Sequence, residues 1–225
     1  MLSLLGDWLN LFSTRHCAVC GEPLSPGERS VCGGCLVAMP YMHIEDFRTN
    51  PVCRLFWGKF PIERAHCYLK FHGEVRQMLH QLKYQHRMDV GREMGRTMAS
   101  ELMPHGFFNG IDCIVPVPLH WIRHFRRGYN QSLELARGVA EVTGIPVLRR
   151  QVVRVRNNSS QTRMSATERI GNTQGLFRCR TVLPNRHVLI IDDVLTTGST
   201  ITACAQAILQ KNPETKFSIL TLAKA

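Results

Sequence analysis

The stretch Val188-Leu-Ile-Ile-Asp-Asp-Val-Leu-Thr-Thr-Gly-Ser-Thr200 constrains this chain more than any other. An apolar strand delivers two adjacent acids, Asp192 and Asp193, into a loop of small residues that opens a helix. The unpaired backbone N–H groups of a helix start, reinforced by the helix dipole, attract a phosphate. Gly198 lets the backbone approach such a ligand closely, and the hydroxyls of Thr196, Thr197, Ser199 and Thr200 can donate further hydrogen bonds. Carboxylates beside this nest would repel a phosphate, so Asp192 and Asp193 must serve another part of the ligand. The vicinal hydroxyls of a ribose suit them, and one carboxylate can also touch a metal shell. A generic nucleotide loop fits less well, because the Walker lysine and a Gly-x-Gly-x-x-Gly run are both absent. The structural alternative is an Asp-Asp turn with an N-capping Thr or Ser.

Around this loop, helical and strand-like segments alternate from about residue 60 onward. Residues 74–84 read as a helix with Val75, Met78, Leu79 and Leu82 on one face, and residues 90–103 continue in helical period until Pro104. Residues 111–118 read as a buried strand ending in prolines, and residues 130–142 as a second amphipathic helix closed by Gly144 and Pro146. A polar tract, residues 154–172, is too long for a simple connection and is either a functional loop or disordered. An apolar strand at 187–191, a helix at 199–210 and a last strand at 217–222 follow. Strands alternating with helices predict an α/β fold, a parallel sheet covered by helices on both faces.

Before residue 60 the composition is different, with cysteines, prolines and glycines and little long periodicity. Cys17-Ala-Val-Cys20 and Cys32-Gly-Gly-Cys35 form two Cys-x-x-Cys knuckles separated by 11 residues. Two knuckles offer four thiolates, which complete a closed tetrahedral Zn²⁺ site with no position left for chemistry. Such a site is structural: it folds a region too small for its own core. The alternative is a set of redox-active or unpaired thiols. Cys53 and Cys67 have no partner at knuckle spacing, and Cys113, Cys179 and Cys204 look like core residues.

The net charge of +11 is unevenly spread. Residues 1–60 hold five basic and five acidic residues, whereas residues 120–169 hold ten arginines against Glu134, Glu141 and Glu168, a net of +7. An excess this concentrated implies a polyanionic ligand, either a small-molecule phosphate or nucleic acid, with a solvated basic surface as the alternative. Few aromatics accompany it (Trp121, Phe125, Tyr129 and Phe177), so stacking of bases along a strand has thin support. No apolar run approaches the roughly 18 residues of a membrane span. At the N-terminus Leu2, Leu5, Trp8, Leu9 and Phe12 recur at helical spacing without a basic start or cleavage site, which suggests a short docking helix and a cytoplasmic protein; a membrane-surface anchor is the alternative, disfavoured because the polar face lacks basic residues.

The segment 188–200 resembles the phosphoribosyl-pyrophosphate signature of type I phosphoribosyltransferases. The wider chain resembles the ComF family (ComFC and GntX proteins), associated with bacterial DNA uptake and natural transformation. The resemblance runs through the knuckles, Leu82-Lys-Tyr84, Val115-Pro-Val-Pro-Leu119 and Arg126-Arg-Gly-Tyr-Asn-Gln131. It continues through Arg154, Arg156, Gln161, Arg169 and Asn172 to Gly175-Leu-Phe177. It implies a type I phosphoribosyltransferase fold over residues 61–225, with an N-terminal helix and Cys₄ zinc ribbon over residues 1–60. By resemblance, Asp192 and Asp193 hold the ribose hydroxyls, and Thr196, Thr197, Gly198, Ser199 and Thr200 hold the 5′-phosphate. Pro118, Leu119 and His120 fall at the pyrophosphate loop, and Arg154, Arg156, Gln161 and Arg169 in a hood over the site. Arg123, Arg126 and Arg127 contact either pyrophosphate or a nucleic-acid strand. The cofactors implied are structural Zn²⁺ and a Mg²⁺ that arrives with phosphoribosyl pyrophosphate.

Three functional readings stay open at this point. The chain is a phosphoribosyltransferase with an unassigned acceptor, a base-salvage enzyme among the options. Alternatively it is a non-catalytic protein that keeps the sugar-phosphate site while its arginines hold single-stranded DNA. In the third reading it is an interaction module whose zinc ribbon docks competence or recombination proteins.

Overall fold

The computed structural model describes residues 15–43, 46–156, 175–183 and 186–225, without the side chains of Arg123, His124 and Arg126. The expected helix at residues 1–12 lies outside them, as do Gln161, Arg169 and Asn172 of the polar tract.

Four strands build the central sheet: β1 (Ile62–Lys70), β2 (Cys113–Pro116), β5 (His187–Leu195) and β6 (Lys216–Lys224). They lie in the order β1–β6–β5–β2 and every pair is parallel. Val147 bridges Ile114 of β2 at one edge and Tyr41 bridges Leu69 of β1 at the other, so short chain segments cover both margins. Side chains alternate across a strand, and β5 divides accordingly. Leu189 and Ile191 enter one apolar cluster, Val188 and Ile190 the other.

Helices α3 (Gly73–Tyr84), α4 (Met88–Leu102) and α6 (Gln131–Thr143) fill the first cluster. The face predicted for residues 74–84 is the buried one, with Val75, Met78, Leu79 and Leu82 at 2% exposure or less. α4 and α6 pack so closely that a Cβ on Gly95 would overlap the Leu135 carbonyl, and one on Gly138 the Arg92 carbonyl. Helix α7 (Ser199–Leu209) lies on the other face with Phe56 and Phe60. Two short strands, β3 (Val152–Arg154) and β4 (Phe177–Cys179), pair antiparallel beside α7. They flank the segment that contains the polar tract.

The N-terminal segments touch both faces of the sheet. Cys17, Ala18, Val19 and Val31 join the α3–α4 cluster, and the Ser30 backbone N–H donates to Glu93 of α4 at 2.7 Å. Helix α1 (Gly33–Ala38) carries the second knuckle, and helix α2 (Pro51–Arg54) is capped by Asn50. The Asn50 side chain accepts from the Val52 and Cys53 N–H groups at 2.9 Å each. That cap seats Val52, Cys53, Phe56 and Phe60 under the opposite face; a fully buried side chain of this kind contributes about 1.5–3 kcal/mol. Cys53 and Cys67 are buried there with Cys113, Cys179 and Cys204.

Candidate functional site

In a parallel α/β sheet, ligands bind in the crevice outside the carboxyl ends of the strands. Asp192 and Asp193 sit at that end of β5, both partly buried. Ser132, in the first turn of α6, donates from its hydroxyl to Asp192 Oδ1 at 2.9 Å, and the Asp193 backbone N–H donates to the same oxygen at 2.9 Å. Lys83, near the end of α3, pairs with Asp193 through Nζ–Oδ2 at 3.1 Å. Burial, and then the neighbouring Asp193 carboxylate, push the Asp192 carboxyl up to about 7 against the pull of Ser132, the Asp193 N–H and Lys83. The pair therefore carries an electrostatic cost in the free protein.

Beyond β5 the loop turns at Gly198, whose φ of +74° belongs to the left-handed region. A Cβ there would lie 2.7 Å from Phe56 Cε1, so glycine is demanded twice, by the turn and by the ring beneath it. Gly198 is also the N-cap of α7, and no side-chain hydrogen bond caps this helix. The Ser199 N–H reaches the Thr197 hydroxyl only at 3.5 Å, and the start of the helix can still take an anion. The Thr197 and Ser199 hydroxyls lie 3.1 Å apart at the mouth of the loop, and Thr196 is exposed beside them.

Pro118, Leu119 and His120 connect β2 to helix α5 (Trp121–Arg127). His120 is buried, with its Nδ1 accepting from the Ile122 N–H at 3.4 Å, whereas Pro118 and Leu119 are half-buried. The segment after α5 works as a strap. Tyr129 donates its hydroxyl to the Leu82 carbonyl of α3, and Asn130 Nδ2 donates to the Val117 carbonyl at 3.0 Å. Asn130 Oδ1 accepts from the Ser132 N–H at 3.1 Å and so caps α6. One run of residues thus fixes the ends of β2, α3 and α6 that bring Lys83 and Ser132 to the two carboxylates. Arg127 stays close to this strap, bonded to Gln131 Oε1 at 3.0 Å with its guanidinium 5.3 Å from the Tyr84 ring centroid. Arg154 stands 5.5 Å from the Phe177 ring centroid across the hairpin stem, and its Nε donates to the Arg156 carbonyl at 3.3 Å. Arg123 and Arg126 belong to α5, with their side chains outside the described residues.

The four knuckle cysteines converge. All their sulfurs lie within 4.8 Å of one another, and Cys20 Sγ is 3.8 Å from Cys32 Sγ. A tetrahedral site with Zn–S bonds of about 2.3 Å requires sulfurs roughly 3.8 Å apart, so the donor set fits the ion. Cys17 Sγ also accepts from the Val19 and Cys32 N–H groups at 3.4 and 3.3 Å, bonds that favour a thiolate.

The residues expected at the β5 loop are thus contiguous at one end of the sheet, with the β2 loop beside them. Lys83 and Ser132 were missed as contributors. Lys83 lies inside a motif that carried the resemblance, but nothing in the sequence pairs either residue with an aspartate more than fifty positions away.

A family model for the phosphoribosyl transferase domain matches residues 91–225. The DNA utilization protein YhgH of Salmonella typhi is 29% identical over 214 residues, covering 88% of this chain and 92% of that protein. Competence protein F of Haemophilus influenzae is 26% identical over 238 residues, covering 96% of this chain and all of that protein. Competence protein ComFC of Bacillus subtilis matches at 29% identity over 112 residues, 50% of this chain and 44% of that protein. Among solved structures, the hypoxanthine phosphoribosyl transferase of Trypanosoma cruzi aligns with a TM-score of 0.36 and 12% identity, over 64% of this chain and 75% of that one. Among the described residues no helix is long and apolar enough to cross a membrane.

Proposed function

The chain belongs to the phosphoribosyl transferase domain family, in a branch whose relatives are named for competence and DNA utilization, and from that premise we propose that it binds phosphoribosyl pyrophosphate with Mg²⁺ and acts in cytoplasmic DNA handling during uptake. The observation that carries this reading is the Asp192–Asp193 pair running directly into the uncapped start of α7. Ribose hydroxyls are donors, and two partly buried carboxylates with unsatisfied acceptor capacity match them. The 5′-phosphate takes the α7 start with Thr196, Thr197, Gly198, Ser199 and Thr200. The pyrophosphate takes the loop of Pro118, Leu119 and His120, and the tract carrying Arg154, Arg156, Gln161 and Arg169 forms a hood.

In the transfer reaction a nitrogen nucleophile replaces pyrophosphate at the ribose C1, through a transition state resembling an oxocarbenium ion. The aspartates offer the hard oxygen ligands that Mg²⁺ prefers, and the ion, when bound, neutralises charge on the leaving pyrophosphate. The protein's own share is positioning. Ser132 and Lys83 orient the two carboxylates toward the ribose, and the hood, anchored on the β3–β4 stem, excludes water from the activated sugar. Arg123, Arg126 and Arg127 contact single-stranded DNA or pyrophosphate. The four knuckle cysteines hold a structural Zn²⁺ that shapes a face for competence or recombination proteins.

Calorimetry with phosphoribosyl pyrophosphate and Mg²⁺ tests the central claim. Saturable binding is expected, lost by roughly 100-fold or more when Asp192→Ala and Asp193→Ala are combined, since each removes charge-assisted hydrogen bonds. Undiminished affinity in that double variant would move the site elsewhere.

A further inference from the structure

Beside the loop that follows β2, a cleft of about 470 Å³ opens between α5, the first turn of α6 and the β3–β4 hairpin. Its lining combines two chemistries. Leu119, Trp121 and Leu133 are its apolar part, with Trp121 71% exposed. Arg149, Arg150, Arg154 and Arg180 line the same cleft. Among the described residues no carboxylate lines this cleft, and Arg149, Arg150 and Arg180 have no acidic partner within ion-pairing distance.

The arginines are held together by backbone hydrogen bonds at the root of the hairpin. The Leu148 N–H donates to the Ile114 carbonyl at 2.8 Å just before Arg149 and Arg150, and the Arg180 N–H donates to the Gln151 carbonyl at 2.7 Å. Like charges gathered on a fixed scaffold repel one another, and an anion relieves that repulsion. The first turn of α6 links the cleft to the aspartate pair. Asn130 lines the cleft, and Ser132, two residues further along the same turn, holds Asp192.

We propose that this cleft seats the second substrate of the sugar-phosphate site, and that this substrate is a planar heteroaromatic ring bearing a carboxylate or phosphate group; the inference rests on the function proposed above. An uncharged nucleobase leaves the guanidiniums unmatched. An anionic ring satisfies them through forked, charge-assisted hydrogen bonds while its face stacks on Trp121. In the transfer, a ring nitrogen forms the bond to C1 as the C1–O bond breaks. The electron pair departs with pyrophosphate, and a proton on the nitrogen passes to water.

The test is calorimetry on the full chain with three probes: orotate as a heteroaromatic carboxylate, adenosine 5′-monophosphate as a phosphate-bearing ring, and adenine as a neutral ring. At least one anionic probe is expected to bind at least tenfold more tightly than adenine, and the arm that binds tells carboxylate from phosphate. Arg150→Ala combined with Arg180→Ala should weaken that binding tenfold or more, and leave affinity for phosphoribosyl pyrophosphate within twofold. Pyrophosphate release in the presence of phosphoribosyl pyrophosphate and Mg²⁺ should rise with the probe that binds. Adenine binding as tightly as both anions overturns the proposal, as does insensitivity to the arginine pair. A single-stranded oligonucleotide that binds where neither small anion does reassigns the cleft to a strand, and probe binding without pyrophosphate release removes the substrate role. Asp192→Ala with Asp193→Ala separates the two levels. Anion binding that survives in that variant supports the cleft even where the sugar-phosphate reading fails, whereas a parent chain that binds phosphoribosyl pyrophosphate but none of the anionic probes overturns the cleft and leaves that reading standing.

Discussion

The knuckle cysteines and the loop from Asp192 to Thr200 are both short motifs, and the fold leaves them in opposite conditions. At the knuckles four sulfurs converge within 4.8 Å and backbone N–H groups already point at Cys17, so the donor set faces inward and closes on itself. At the loop the groups face outward and remain in debt. Asp192 is pushed up by burial and by Asp193, and α7 starts without a side-chain cap. A closed donor set returns its binding energy as folding, whereas an open one holds unsatisfied groups ready for a ligand. The contrast predicts that damage to the first is read mainly in stability and damage to the second mainly in binding.

Three variants probe that contrast, in descending order of expected effect. Cys17→Ser opens the closed set. With apparent metal-binding energies of about 10–16 kcal/mol at stake in such sites, bound zinc should fall sharply by elemental analysis, and thermal melting should drop by roughly 10 °C or more. Unchanged metal content and melting would remove the zinc assignment. Gly198→Ala strains the open site at two points, its φ of +74° and the 2.7 Å approach to Phe56, at a cost of about 1–3 kcal/mol in chemical denaturation. In a Phe56→Leu background, compared with Phe56→Leu alone, the same substitution should lose the steric part of its cost and keep the part due to φ; no cost there would show that the turn tolerates a side chain.

The smallest effect is a matter of sign. The folded-state carboxyl of Asp192 is raised from 3.8 to about 7, so the folded chain holds a proton that the unfolded chain releases. Its contribution to stability is complete below the unfolded value and is lost as pH rises through about 7. Asp192→Asn removes that loss together with much of the opposing pull of Ser132, the Asp193 N–H and Lys83, so near pH 8 the variant should be about 1 kcal/mol more stable than the parent, equivalent to roughly 2–4 °C, while binding phosphoribosyl pyrophosphate less well. A variant less stable than the parent at pH 8 would show that the pair is not strained.

Several parts of this molecule were legible as local pattern. The apolar faces of α3 and α4, the strand into Asp192, the glycine-turned start of α7 and the knuckles all repeat at spacings that one element imposes on itself. Other parts carried no such mark. β1 mixes Glu63, Arg64 and a buried His66 into a strand, and the periodicity at those residues singles out no element. β3 and β4 are three residues each, separated by the polar tract, and only their pairing makes them strands.

By itself the sequence determined the chemistry of the two motifs, because carboxylates, thiols, hydroxyls and a glycine turn act over a few consecutive residues. It also determined the parallel α/β class, through the alternation of helical and strand-like periods. Tertiary structure alone decided what surrounds those motifs. It set Phe56 beneath Gly198, brought Lys83 and Ser132 to the aspartates through the Tyr129–Asn130 strap, and gathered Arg149, Arg150 and Arg180 around one cleft with Trp121. Each of these is a contact between elements distant in sequence, made by the parallel crossovers of the sheet. Its energy depends on approach distances of a few ångströms that no local spacing encodes.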